Sequence, residues 1–471
     1  MMDVLAGLTQ AFALLLSPTV LTTCGIGLLT GLVIGFLPGI SPLGGLALGY
    51  LLVLALVGVL GPNSPAVLMV AVAYGTLYGR AFAAINLADR VNAGAPAASD
   101  RAALLGGLIA GLAAALAAGV ITAAGRTYVT LFMGPVEFAA AFTFVLLAGV
   151  AFGAGSTASA LAMVVLGLLL GLIGEDIETG APRLTFDLPF LSDGLSVLAV
   201  AIGLFVIANA IHSFRQAGID RQQSVAPDSA LPGTSPRMLL GVLAAVLPTN
   251  GWSASTSVDD RRMPPLPDPL DPARQKDGRE IVSALMASDV RFSLALIPLM
   301  IYIAPADVVG ALLQKVFSSQ ETITGTIRNQ ATVWLVCATL IVAHVVPLIT
   351  LVLPRLARWW PRPVDARIAA PAIVVCSLVG SYLIDQSLVS LAIMLGFGVL
   401  GYLMMLGNFD RSLLFLGFLF ATGLEENIRR GLMIARGDAM IFLQRPISAG
   451  FLIGGVLVLI AVRTWRHKRE T

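Results

Sequence analysis

The sequence predicts an all-α polytopic membrane protein, and two observations carry that prediction. Hydrophobic residues make up 57% of the 471 residues and charged residues only 12%, with a mean hydropathy of +0.89. A water-soluble protein of this length needs more charge to cover its surface. In addition, runs of 18 or more residues without a charge recur along the chain, for example residues 43–79, 138–174 and 333–353. At roughly 20 residues per span, these runs predict about 10–12 transmembrane helices.

The polar residues give no sign of an enzyme, a metal centre or a nucleic-acid interface. The net charge of +2 comes from basic residues in short loops, so we expect no nucleic-acid partner. Cys24, Cys337 and Cys376 are scattered through apolar segments, and the three histidines match no metal-ligand spacing. An intramembrane enzyme would need a Ser/His pair, a metal cluster or two membrane aspartates at helical spacing, and the sequence shows none. We therefore expect no catalytic residues, and a lipid bilayer as the surroundings.

The distribution of Lys and Arg predicts the orientation in the membrane. The basic tail 464–471, the loop 355–367 and the stretch 213–237 are all expected in the cytoplasm. Residues 425–445 are also basic, although counting the crossings places them on the opposite side. For residues 425–445 the two indications conflict.

Two polar inserts, 213–237 and 259–278, divide the chain, and its two halves begin alike. "GLVIGFLPGI" from Gly31 has a counterpart in "GVLAAVLPTN" from Gly241, with Gly and Pro at the same separation. This similarity predicts an internal repeat. The predicted units are a first transmembrane repeat 1–212, a cytoplasmic linker 213–237, a second transmembrane repeat 238–463 with the polar insert 259–278, and the tail 464–471.

The repeated Gly/Pro breaks indicate a transport site. Irregular backbone inside the hydrocarbon must be buried in protein or line a watery cavity. Paired interruptions of this kind are typical of the substrate sites of secondary transporters, where free N–H groups at half-helix N-termini bind anions. We expect Pro38-Gly39 and residues 248–251 to face each other near mid-membrane, each at the tip of a re-entrant or discontinuous helix. The alternative is a simple proline kink, which membrane helices tolerate.

Five segments resemble a known family. They are "GLLTGLVIGFLPGISPLGGLAL", "VAYGTLYGRAFAAI", "GPVEFAAAFTFVLLAG", "GLIGEDIETGAPRLTFDLPFLSDGLSVLAVAIGLFVI" and "GLEENIRRGLMIARGDAMIFLQRPIS". In this order they are similar to the large membrane subunit of the tripartite tricarboxylate transporters, the TctA type, over roughly residues 25–448.

The resemblance implies a secondary transporter for organic carboxylates, built of two inverted repeats and driven by an ion gradient. No cofactor is implied apart from a coupling Na+ or H+. The implied partners are a small membrane subunit of the TctB type and a periplasmic solute-binding protein of the TctC type. The implied location is the bacterial inner membrane, with the C-terminus in the cytoplasm.

The chain departs from the family pattern at the expected site. Gly79-Arg80-Ala81 stands where the family has Gly-Gly-Ser, and residues 90–92 replace its Pro-Gly-Thr. Residues 248–251 replace Pro-Gly-Ala-Gly, and "ASDVRFSLA" replaces a run of glycine and asparagine before "LIPL". Frame residues are kept while site residues have changed, so a non-transporting relative that acts as a sensor or scaffold is the alternative function.

Arg80 is the expected carboxylate anchor, because it follows a long uncharged run and an arginine fork can hold a carboxylate with two parallel hydrogen bonds. Asp289 is expected to neutralise Arg80 or to bind the coupling cation. The alternative is a permanent structural pair of Arg80 with Asp289 or Asp89. The expected substrate-binding residues are Pro38, Gly39, Ser41, Tyr78, Gly79, Arg80, Asn86, Pro248, Thr249, Asn250, Gly251, Ser253, Ser288, Asp289 and Arg291.

Three further motifs have structural interpretations. Glu425, Glu426, Arg429 and Arg430 form two i,i+4 acid–base pairs that fit an interfacial helix end as well as a functional site. The acidic run 175–178 ends an apolar helix at the membrane surface and is a candidate docking face. "GVAFGAGSTASA" from Gly149 predicts tight helix packing.

Overall fold

The chain folds into helices, as a computed structural model shows for residues 2–37, 40, 42–56, 64–91, 112–113, 115–117, 132–153, 156–176, 179–219, 330–344 and 366–470. Within these residues six helices are long and apolar enough to cross a membrane. They span Pro18–Phe36, Pro135–Phe152, Val197–Arg215, Arg367–Asp385, Leu388–Leu406 and Pro446–Thr464. The prediction of an all-α polytopic membrane protein is therefore confirmed.

The described residues form 14 α-helices, one π-helix, a short 3-10 helix (Pro189–Leu191) and a two-stranded hairpin. In the first part of the chain the helices are α1 (Met2–Leu15), α2 (Pro18–Phe36), α3 (Pro42–Leu56), α4 (Ser64–Val91), α5 (Pro135–Phe152) and α6 (Thr157–Gly171). Strands β1 (Gly174–Glu175) and β2 (Pro182–Arg183) follow, then α7 (Val197–Ile202), the π-helix (Gly203–Ile207) and α8 (Ala208–Ile219). The later helices are α9 (Gln330–Ala343), α10 (Ala366–Asp385), α11 (Leu388–Leu406), α12 (Arg411–Ile434), α13 (Ile441–Gln444) and α14 (Pro446–Glu470).

Helices α2 and α4 run parallel and touch backbone to backbone through glycines. A Cβ on Gly31 would lie 2.3 Å from the Val72 carbonyl oxygen. A Cβ on Gly79 would lie 2.4 Å from the Leu32 carbonyl oxygen. Only hydrogen fits at these positions, so the four-residue glycine spacing brings the two helix axes close together.

Helix α3 runs in the opposite direction along α4. Gly45 faces the Thr76 side chain and Gly49 faces Val72. Later residues of α3 therefore contact earlier residues of α4, as in an antiparallel pair. The chain therefore reverses between α2 and α3, and the two helices form a hairpin whose turn lies between Phe36 and Pro42.

A second hairpin, α5–α6, packs on α12 in the same manner. A Cβ on Gly167 would lie 2.0 Å from the Leu414 carbonyl oxygen, and one on Gly417 would lie 2.4 Å from that of Val164. Helix α6 is thus parallel to α12, whereas α5 is antiparallel to it. Helix α14 runs parallel to α5, with the Phe144 and Phe451 ring centroids 5.9 Å apart.

The ion pairs between described residues group at one end of the structure, which we call the ion-pair end. Helices α6, α10 and α12 end there, and α5, α7, α11 and α14 begin there. Close contacts tie these termini together, including Gly431 on Val136 and a 3.4 Å hydrogen bond from Ser196 Oγ to Asp385 Oδ2. The ion-pair end comprises residues 134–137, 172–176, 179–196, 385–388 and 425–446.

A four-residue network fastens the β1–β2 hairpin to α12 at this end. Arg429 donates to both carboxylate oxygens of Asp176, at 3.0 and 2.7 Å, and Arg183 approaches the same group to 2.5 Å. Glu425 accepts from both arginines as well. Asp176 is only 8% exposed, so its two arginine partners replace the water that burial removes.

Glu137 makes a second polar anchor, at the start of α5. The buried carboxylate accepts a 2.8 Å hydrogen bond from the Gly134 backbone N–H and is paired with Arg445 at 3.1 Å. The first bond satisfies one of the free N–H groups near the helix start, and the ion pair joins the starts of α5 and α14.

The internal repeat and the domain boundaries stay predictions. Residues 220–329, which contain the start of the second predicted repeat, lie outside the described residues, as do residues 345–365. The inverted relation of the two halves is therefore not tested by the fold.

We expect Gly31→Val to destabilise the protein by about 1–3 kcal/mol, because the added side chain must push α2 away from the Val72 carbonyl. Gly25 lies on the same helix with nothing within 4 Å of an added Cβ, so Gly25→Val is the matched control. Thermal unfolding of the purified variants in detergent measures the difference. Equal unfolding of the two variants would contradict the packing argument.

We also expect Asp176→Asn to lower the free energy of unfolding by about 1–3 kcal/mol, since Arg183 and Arg429 lose the charge that they share. The Glu426–Arg430 pair lies on α12, as Arg429 does, and is about half exposed. Glu426→Gln is therefore the control and should lower the free energy of unfolding by at most about 1 kcal/mol. Unfolding curves and limited proteolysis of the loop after β2 report the effect. The network is not structural if both variants behave like the wild type.

Candidate functional site

The helix break predicted at Pro38-Gly39 is present. Helix α2 ends at Phe36, Leu37 is extended at φ −74° and ψ 126°, and α3 begins at Pro42. A residue that precedes proline avoids the helical region, which explains the conformation of Leu37. A proline in the first helical position costs no hydrogen bond, which suits Pro42. Pro38, Gly39 and Ser41 themselves lie outside the described residues.

The turn between α2 and α3 lies level with the predicted site on α4. Gly79 on α4 contacts Leu32 on α2, so these two residues lie at the same height. Phe36 is one turn farther along α2, which runs parallel to α4, and therefore lies at the height of about residue 83. Gly45 on α3 faces Thr76 on α4. Pro42 lies nearly one turn before Gly45, and because α3 is antiparallel to α4, Pro42 is at the height of about residue 79. The backbone of Arg80 therefore passes beside the turn. Asn86, also on α4, lies about 9 Å farther along the helix axis.

Tyr78 is buried in a row of rings. Its ring centroid is 4.8 Å from that of Tyr74, which in turn lies 5.0 Å from the His344 imidazole. Tyr78 is 3% exposed and His344 is buried to the same degree. The His344 Nδ1 lies 2.6 Å from the Leu340 carbonyl oxygen, which requires the proton on Nδ1 and makes Nε2 an acceptor in the neutral ring.

His344 is a feature that the sequence did not reveal, because a single histidine in an apolar run has no local signature. Gly79, by contrast, was predicted because Gly79-Arg80-Ala81 stands where the family has Gly-Gly-Ser. Its contact with the Leu32 backbone gives this glycine a packing function, and a role in substrate binding stays a prediction.

The predicted residues of the second half cannot be placed. They lie outside the described residues and are Pro248, Thr249, Asn250, Gly251, Ser253, Ser288, Asp289 and Arg291. The prediction that the two breaks face each other therefore remains a prediction.

A second polar centre lies inside a membrane span, around Arg411 at the start of α12. The Arg411 Nη1 donates to the Leu204 carbonyl at 2.7 Å and to Asn209 Oδ1 at 2.8 Å. Both acceptors belong to the span Val197–Arg215 and lie about 11 and 18 Å from its first residue. The guanidinium also lies over the Phe205 ring, 5.7 Å from its centroid.

A π-helix, Gly203–Ile207, lies at this polar centre. A π-turn shifts the backbone hydrogen bonds by one residue, and such turns are frequent at functional sites. Helix α11 packs tightly on this segment, since a Cβ on Gly203 would lie 2.5 Å from the Met394 carbonyl oxygen. Asn209 is 2% exposed, and its Nδ2 has no hydrogen-bond partner among the described residues.

Arg411 was missed in the sequence although its signal was present. Residues 388–409 are uncharged, and Asp410-Arg411 interrupts an apolar region as Arg80 does. Asp410 caps α12 by accepting from the Ser412 N–H at 3.0 Å. A pair of charges between two apolar helices therefore marked a buried helix start and not a surface loop.

Comparison with known proteins agrees with this architecture. The family described as "Tripartite tricarboxylate transporter TctA family" matches residues 91–416. An uncharacterized 52.8 kDa protein in the TAR-I ttuC' 3'region of Agrobacterium vitis is 28% identical over 512 residues, which cover 100% of this chain and 99% of the relative. A protein in the TAR-II ttuC' 3'region of the same organism is 32% identical over 190 residues, or 39% of this chain and 78% of the relative.

No solved structure matches the chain. The family match covers more than half of the residues, and it includes α5–α8, α9–α11, the ion-pair residues Glu137, Asp176 and Arg183, and Arg411 at its C-terminal edge. The chain therefore belongs to the tripartite tricarboxylate transporter TctA family.

Proposed function

We propose that this protein is the large transmembrane subunit of a binding-protein-dependent secondary transporter for organic carboxylates, driven by a Na+ or H+ gradient. Membership of the TctA family supports a tricarboxylate transporter subunit. The observation that carries the finer proposal is the helix break between Phe36 and Pro42, level with Arg80 on α4. A break inside the apolar part of the bundle is tolerated where it lines a watery cavity.

Arg80 is the proposed carboxylate anchor. Its backbone lies beside the N-terminus of α3, where the positive end of the helix dipole favours an anion. An arginine and a helix N-terminus together suit a carboxylate, because one supplies charge and a planar fork while the other supplies directed donors.

The continuity of α4 argues against one structural alternative for Arg80, the pair with Asp89. Asp89 follows Arg80 by nine residues in an uninterrupted helix. Nine residues correspond to about 13.5 Å along the axis and a rotation to the opposite face. Asp89 is therefore too far away to pair with Arg80, and Asp289 remains the alternative partner.

We propose that the ion-pair end faces the periplasm and that the C-terminus is in the bacterial cytoplasm, with the protein in the inner membrane. The three strongly basic segments support this, because α8, α10 and α14 place residues 215–219, 366–367 and 463–470 at the opposite end. In this orientation the basic stretch 425–445 lies on the periplasmic side. Its arginines Arg429, Arg430 and Arg445 are each paired with a carboxylate at the ion-pair end.

The test of the anchor is Arg80→Lys in proteoliposomes. We expect the variant to fold and insert normally but to lose about 2 kcal/mol or more of carboxylate affinity, roughly 30-fold, because lysine cannot form the fork. Counterflow with a panel of di- and tricarboxylates measures it. Arg215→Lys is the control, since Arg215 donates to the Tyr402 hydroxyl at the opposite end. Unchanged affinity, or a loss of expression alone, would favour a structural pair with Asp289.

Transport should also depend on partners. The purified chain alone is expected to take up micromolar carboxylate poorly, and addition of the TctC-type binding protein and the TctB-type subunit should restore uptake. Counterflow at millimolar substrate separates a transporter from a sensor or scaffold, which would show none at any concentration. Full uptake by the lone chain at micromolar substrate would contradict partner dependence.

A further inference from the structure

The loop after β2 holds apolar side chains in the open at the ion-pair end. Phe186 is 75% exposed, and Phe190 is about half exposed. Leu184 and Leu188 are exposed as well. Large apolar side chains grouped in one short loop mark a surface that something covers. The loop comprises residues 184–193.

The backbone of this loop is strained at three residues. Leu184, Phe186 and Asp187 all have positive φ, at 51°, 51° and 57°. Non-glycine residues rarely adopt this region, and such strain persists only where the surroundings impose it.

The surroundings here are a rigid base. Arg183, directly before the loop, is paired with Asp176 and Glu425, and the Glu175 N–H donates to the Ser192 carbonyl at 2.8 Å. Both ends of the loop are thus fastened, and Thr185 is buried between them. A fixed and preorganised protrusion loses little conformational entropy when it binds.

The position of the ion-pair network at the base of the loop indicates whether the loop enters water or lipid. The arginines and Glu425 of the network are each close to 30% exposed. Because charged groups are costly in hydrocarbon, we place them at the aqueous boundary of the membrane. Residues 184–193 extend from that boundary. Three described acids in the loop or on β1 are exposed, namely Glu175, Asp187 and Asp193, and none of them is ion-paired with a described residue. Anionic lipid headgroups would repel this acidic rim, whereas a basic protein surface would be attracted to it.

We infer that loop 184–193 is the docking surface for a water-soluble protein that presents an apolar pocket rimmed by lysine and arginine, with Phe186 as the central anchor. The inference rests on the proposed function, in which the solute-binding protein of the TctC type is that partner. Exposed apolar centres with a charged rim are the usual composition of such interfaces.

The test uses photo-crosslinking from a benzoylphenylalanine placed at position 186 or at position 214. Phe214 is 51% exposed at the opposite end of the molecule and is the matched control. The full chain is reconstituted into liposomes with the TctB-type subunit, and purified TctC-type protein is added. We expect an adduct with the TctC-type protein from position 186 and none from position 214. Adducts only with lipid, or only with the membrane subunit, would overturn the inference.

Uptake kinetics give a second reading. Phe186→Ser should raise the concentration of TctC-type protein needed for half-maximal uptake by at least about tenfold, with the maximal rate unchanged, whereas Phe214→Ser should have no effect. Replacing Asp187 and Asp193 by asparagine should flatten the salt dependence of that concentration. An unchanged half-maximal concentration in Phe186→Ser would contradict the assignment.

The two proposals fail in different ways. Counterflow of carboxylate at millimolar substrate in the same liposomes tests transport without the soluble protein. Counterflow without an adduct from position 186 removes the docking surface and leaves the transporter. An adduct without counterflow removes the transporter and leaves the docking surface.

Discussion

Direct backbone contact at glycines is the constraint on which the rest of the structure depends. Apolar side chains gain nothing from leaving lipid for another apolar surface, so membrane helices associate through close packing and polar contacts. Gly31 and Gly79 set the register of α2 on α4, and Gly167 and Gly417 set that of α6 on α12. These registers decide which residues lie beside each helix break. A shift of one turn in α2 would move the Pro38-Gly39 turn about 5 Å away from Arg80.

The hairpins α2–α3 and α5–α6 have the same architecture, but the sequence predicted the helix break in only the first of them. Each joins a helix long enough to cross a membrane to a helix of 15 residues, with a break between. Pro38 signals the first break locally, because proline forbids helix in the preceding residue. The second break follows Gly153, which was interpreted as a packing glycine. It does pack on Leu413, and the helix also ends there, so one glycine has both functions.

Local chemistry was predictable and long-range pairing was not. The apolar runs predicted helical spans, and the acid–base spacing of Glu425 and Arg429 predicted their ion pair, which is present at 2.7 Å. Asp176 pairs with Arg429 across 253 residues, and Tyr74 meets His344 across a similar distance in sequence. No spacing rule links residues so far apart. The carboxylates that pair with Arg429 and Arg445 likewise include Asp176 and Glu137, which are distant in sequence.

Two arginines interrupt apolar sequence, and their surroundings assign them different tasks. The Arg411 Nη1 is committed to the Leu204 carbonyl and to Asn209, and these bonds hold the π-helix to α12. A substrate could reach that nitrogen only by breaking contacts that organise the span. Arg80 instead lies level with a break, beside the start of α3, where Pro42 occupies the first position and the following N–H groups have no intrahelical acceptor. Positive charge and the positive end of a helix dipole coincide there. We therefore propose anion binding at Arg80, whereas Arg411 keeps the neighbouring helices in place.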